Sequence, residues 1–154
     1  MMGIKPKNPS FRLPPSIRKK AAEQARVVAE NILCYVGEDA ATAARDHRDY
    51  HDQTGNLRSS IGYAVVSRSG RIVGEQKLYK QGYEGLSAGR EMLDKLSKKR
   101  RGDVSLHIVA GMDYAEQLER KGYKVLSPAR VLVDRTAKKM LEDAGLKVQK
   151  ISDE

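Results

Sequence analysis

Apolar residues recur every three or four positions from Ile17 through Ala21, Ala25, Val28, Ile32, Val36, Ala40 and Ala43 to His47, which traces one face of a long helix. Arg18, Lys19, Glu23, Arg26 and Glu30 fall on the other side, where water can solvate them. Ser16 stands where a helix cap is expected. Gly37 interrupts the pattern at a cost of about 1 kcal/mol against alanine, so the helix is expected to bend there or divide in two. The spacing then changes. Ile61, Tyr63 and Val65 alternate with smaller neighbours, Ser69-Gly70 supplies a turn, and Ile72-Val73 begins a return strand, which predicts a β-hairpin.

Gly82, Gly85 and Gly89 make the next stretch read as a loop. A short helical pattern follows over Glu91–Lys99 around Met92, Leu93 and Leu96, with Gly102 as its stop. Val104, Leu106, Ile108 and Ala110 share one face of a strand, with His107 and Val109 on the other. Asp113 can cap a short helix that ends at Gly122, and Tyr123–Leu126 can form another short strand. Ser127-Pro128 opens a last helix through Ala129, Leu132, Val133, Ala137 and Leu141, closed by Gly145. The expected class is α+β. A long N-terminal helix and a C-terminal helix pack on a small, mainly antiparallel sheet and cover one of its faces. We expect an extended or disordered arm over 1–14, where prolines cluster, a single domain over 15–145, a Gly-rich and basic insertion over 78–103, and a tail over 146–154.

The 154 residues suit a single core that needs no staples. One cysteine, Cys34, excludes an internal disulfide, and its apolar neighbours favour a buried, inert thiol. No run of residues approaches the roughly 18 apolar positions of a membrane span, and the first residues hold no apolar run of the signal type. A soluble chain made in a cytoplasm, with no membrane partner, is expected. The formal charge of +9 points to a polyanion nearby. With no tryptophan and one phenylalanine, stacking platforms for single strands are scarce.

Four patterns offer chemistry. His47 and His51 have the spacing of a helical zinc pair, but Arg48 stands where a metalloprotease carries its glutamate, and Asp46, Asp49 and Asp52 do not share one face. A polar helix end accounts for them as well. Glu75-x-Lys77 after a strand resembles half of a magnesium nuclease core, yet the preceding strand holds no acid, and Asp52 would have to reach in. The glycines at 82, 85 and 89 precede a helix whose N-terminus could attract an anion. Lys98, Lys99, Arg100 and Arg101 either suit a helix C-terminus or face DNA. No metal and no cofactor are expected.

A resemblance lies in "DQTGNLRSSIGYAVV" (52–66) and "HIVAGMDYAEQLERKGYKVLSPA" (107–129). Asp52, Thr54, Gly55, Leu57, Arg58, Ser60 and Ile61 resemble the motif by which head–tail joining proteins of long-tailed bacteriophages enter their first strand after a long helix. These are proteins of the neck, tail-completion or minor capsid kind. Gly111, Tyr114, Ala115, Glu119 and Gly122 match a second motif of that family. The resemblance spans about residues 16–145, and residues 78–103 depart from it. It implies a virion protein at the head–tail junction, free of enzymatic activity, made in the bacterial host cytoplasm or carried by a prophage. Copies would form a ring of six or twelve between connector or adaptor proteins and tail-tube or terminator proteins, around the path of double-stranded DNA. The residues themselves point to fold-making. Gly55 permits a tight turn, Thr54 or Asp52 can bond local backbone donors, Leu57 and Ile61 can anchor the connection, and Tyr114 can lay its ring on the sheet with its hydroxyl wet.

Overall fold

The computed structural model describes residues 14–47, 50–67, 72–98 and 104–146. Its elements, in chain order, are α1 (Pro15–Asp46), α2 (Asn56–Ser59), β1 (Ile61–Val66), β2 (Ile72–Gln76), α3 (Tyr83–Ser97), β3 (Ser105–Ala110), α4 (Ala115–Arg120) and α5 (Ser127–Asp143). The class is α+β. β1 lies between β2 and β3 and is antiparallel to both. Val66 faces Ile72 on one side and Ser105 on the other, and Ile61 faces Ala110. All of β1 is buried, as expected of a strand covered on both faces. The hairpin of β1 and β2 forms as its alternation predicts, though its Ser69-Gly70 turn lies outside the described residues.

α1 is one unbroken helix of 32 residues. It starts at Pro15, whose missing N–H costs nothing in a first turn, and Ser16 makes no cap bond. Gly37 lets the helix lie close to the sheet, and the helix does not divide there. A Cβ there would stand 2.6 Å from Tyr63 Cδ2 and 2.8 Å from Leu106 Cδ1. Leu33, Val36, Ala40, Ala41 and Ala44 are buried, whereas residues 14–24 are exposed on every side. The apolar face is therefore a core face only in its second half.

Helices cover both faces of the sheet, not one. Leu33, Ala40 and Ala44 of α1 and Ala129 and Leu141 of α5 share a core with Ile61, Tyr63 and Val65, and Leu106, Ile108 and Ala110 pack against it. On the opposite face, Leu93 and Leu96 of α3 meet Ala64 and Val109. The alternation along β3 thus serves two cores. α3 also begins eight residues earlier than its apolar pattern suggests, at Tyr83, and includes Gly85 and Gly89. Residues 123–126 form no strand. The backbone nitrogens of Val125 and Leu126 donate instead to the Glu119 carboxylate. Gly145, at φ 80, ends α5, and Leu146 N returns to Leu141 O at 2.9 Å.

Candidate functional site

Residues 52–61 fold into a bonded knot between α1 and β1. Asp52 Oδ2 accepts from Arg58 N at 2.9 Å, and Thr54 Oγ1 accepts from Asn56 N at 3.3 Å. Gly55 carries the turn at φ 76, and a Cβ there would fall 2.1 Å from Tyr79 O. The single turn of α2 then drives Leu57 and Ile61 into the core, at 1% and 0% exposure. Ser60 Oγ donates to Leu57 O at 2.6 Å.

The knot also grips three other segments. Ser59 Oγ accepts from Tyr79 N at 2.8 Å, and Gln76 Nε2 donates to Ser59 O at 3.0 Å. Asn56 Oδ1 accepts from Gly85 N at 3.2 Å. Gly111 N donates to Ser60 O at 3.1 Å. Arg58 places its guanidinium 5.9 Å from the centre of the Tyr79 ring. These bonds tie the exit of β2, the start of α3 and the exit of β3 to one turn.

Gly82, Gly85 and Gly89, three and four apart, line the face of α3 that touches the knot. At Gly85 a Cβ would lie 1.8 Å from Asn56 O, and at Gly89 it would lie 2.5 Å from Ser60 O. At Gly111 it would lie 2.5 Å from Ala88 C, on α3 itself. Backbone therefore rests on backbone across this contact, and the glycine spacing is a packing stripe rather than a loop. Their N–H groups serve helix and knot.

The second motif meets the first here. Burial raises the Tyr114 phenol above its ordinary pKa, and the carboxylates of Asp52 and Glu84 raise it further. Tyr114 precedes α4 and is 38% exposed, while Ala115 is buried. No side chain caps α4, so Asp113 does not serve as expected. Glu119 works at a distance. Its Oε1 accepts from the backbone nitrogens of Val125, Leu126 and Ser127, and its Oε2 accepts from Ser127 Oγ at 2.8 Å. This carboxylate holds the start of α5, where the helix dipole favours an anion. Ser127 is thus held by Glu119 and caps nothing itself. Burial pushes the Glu119 carboxyl up, but the Ser127 hydroxyl and the three backbone donors outweigh it and hold the group below its ordinary value. Gly122 sits at φ 92 in open space.

The other candidates remain apart. α1 ends at Asp46, and His47 is extended at φ −67, ψ 131, so His47 and His51 are not a helical pair. Arg48 and Asp49 lie outside the described residues. Among the described residues, no three His, Cys, Asp or Glu side chains come together as metal ligands. Glu75 lies opposite Tyr63 on β2 and pairs with Lys77 at 3.8 Å. Lys98 is exposed at the end of α3, and Lys99, Arg100 and Arg101 lie outside the described residues, as do most of arm 1–14 and of tail 146–154. Cys34 is half-buried. No helix among the described residues is long and apolar enough to cross a membrane. No family model, curated protein or solved structure matches the chain.

Asn56, Ser59, Gln76 and Tyr79 are the knot residues that sequence reasoning did not single out. The three-and-four spacing of the glycines was the available signal for them, because such a stripe asks for a close partner. Arg45 gave no signal. It is 1% exposed and donates through Nε to Ile61 O at 3.2 Å, while its Nη2 has no hydrogen-bond partner among the described residues.

Proposed function

We propose that this chain is a structural, non-enzymatic subunit of the head–tail junction of a long-tailed bacteriophage or prophage. Copies would close into a ring around the DNA path, between connector and tail-tube components. One observation carries the reading. The two stretches that bear the resemblance lie far apart in the chain, yet Ser60 and Gly111 join them in one knot. Polar groups of the two stretches are spent on backbone: Asp52 on Arg58, Ser59 on Tyr79, Glu119 on residues 125–127. Groups so engaged build a rigid body and offer no free nucleophile or base, which suits an assembly subunit. Ring closure needs a heterologous contact, in which one surface meets a different surface of the next copy.

The test is genetic. The gene is deleted from the phage or prophage that encodes it, and lysates are examined by electron microscopy. Filled heads and separate tails, rejoined when the gene is supplied in trans, are expected. Intact infectious particles at an undiminished titre would refute the reading. Cleavage of duplex DNA by the purified chain with magnesium, abolished by Glu75→Ala, would replace it with the nuclease reading.

A further inference from the structure

On α1, Ile17, Ala21 and Val28 of the apolar pattern read from the sequence belong to a stripe that, by helical geometry, lies away from the residues buried in its second half. Ile17, Ala21, Gln24, Val28, Asn31 and Tyr35 follow one another at alternating steps of four and three, the spacing of a coiled-coil seam. All six are exposed, with Ile17 at 49%, Val28 at 41% and Tyr35 at 59%. Tyr35 stays exposed although Leu33 and Val36 beside it are buried. Val27, at 54% exposure, flanks the middle of the stripe. The core does not explain this pattern, because the core uses the opposite side of the helix.

We infer that the stripe is a contact between two copies of this chain, which pair through α1 in antiparallel fashion about a two-fold axis. The sequence is self-complementary in that direction. Ile17 comes opposite Tyr35 of the other copy, Ala21 opposite Asn31, and Gln24 opposite Val28. Large side chains meet at the ends and the small Ala21 meets a polar residue, so every layer is filled in one register. Val27 then lies beside its own counterpart near the axis. The charges choose the direction. Exposed Lys20 flanks one end of the stripe, and exposed Glu38 and Asp39 stand just beyond the other. Antiparallel pairing sets cations near anions, whereas parallel pairing stacks like on like. A two-fold contact uses the same patch on both copies, so it is distinct from the head-to-tail contact of a ring and does not rest on the junction reading.

The test uses the full purified chain. Light scattering behind a sizing column at about 0.1 mM, a concentration that detects weak association, is expected to give twice the 17.1 kDa chain mass. Val28→Lys is expected to return the mass of one chain. Val131→Lys, at an equally exposed apolar site on α5, is expected to leave the pair intact. Direction is read by cross-linking in a Cys34→Ser background. A chain with Ile17→Cys mixed with a chain with Tyr35→Cys should give a disulfide between unlike chains. A native chain with the mass of a monomer, an assembly that Val28→Lys does not dissociate, or disulfides only between like chains would each overturn the inference.

Discussion

Glu119 secures the start of α5 with a charge, so acid can release it. Its folded pKa lies below the ordinary value of 4.5. The fold therefore prefers the ionised form, which adds stability above the unfolded pKa and loses it as pH falls through the folded one. The wild type should lose stability below about pH 4.5, and Glu119→Gln should lose less over the same window; urea midpoints at neutral and acid pH compare them. At neutral pH Glu119→Ala should cost on the order of 2 kcal/mol, since three backbone donors lose an ionic acceptor. Two glycines make a sharper contrast. Gly55 and Gly122 both have positive φ, but only Gly55 has a carbonyl where a Cβ would go. Gly122→Ala should cost about 1 kcal/mol for the backbone alone. Gly55→Ala should cost several times as much, and thermal unfolding of the pair checks this. Gly55, Leu57 and Ile61 were legible as turn and anchors because conformation and hydrophobicity are properties of single residues. The role of Glu119 was not, because its donors lie six to eight residues ahead in a bend that only the fold creates.

α3 shows how an element can hide. Glycines lower helix propensity, so a start at Glu91 was the natural reading, and the contact with the knot that offsets their cost is invisible along the chain. In an isolated helix Gly85→Ala would gain about 1 kcal/mol. Here the added methyl meets Asn56 O, and we expect a loss on the order of 2–4 kcal/mol, the scale of overpacking against backbone. A lower melting temperature confirms the packing stripe, and a higher one returns the glycines to mere loop formers. The β1–β2 hairpin, β3 and α5 were legible because their periods are unbroken. The strand expected at 123–126 failed because Glu119 takes the donors that a neighbouring strand would have needed.

The positive charge is unevenly distributed over the whole molecule. The described residues hold 18 Lys and Arg against 16 Asp and Glu, a net of +2, so +7 of the formal +9 resides in the remaining stretches of sequence. Among these are Arg68 and Arg71 between β1 and β2 and Lys99–Arg101 after α3. Any affinity for duplex DNA should therefore draw more on those stretches, residues 1–13 with Lys5, Lys7 and Arg12 among them, than on the described elements. Replacing Lys98, Lys99, Arg100 and Arg101 by glutamine should flatten the dependence of log affinity on log salt by about 0.9 for each phosphate that these side chains neutralise. Filter binding over a salt series measures the slope, and an unchanged slope would acquit these residues. The presence of a sheet was legible from the alternation. Its double cover was not, because the helical pattern of α3 does not say which face of the sheet it covers, and its glycines hid its first half.

The Ser60–Gly111 bond also sets a timetable. Closing it brings together residues half a domain apart, and such non-local closures slow folding. During synthesis α1 can wind as soon as it leaves the ribosome, being local, but the Ser60 carbonyl cannot meet Gly111 until β3 has emerged behind it. Throughout that interval the nascent chain shows both faces of a long helix, one meant for the sheet and one already complementary to a neighbour being translated from the same message.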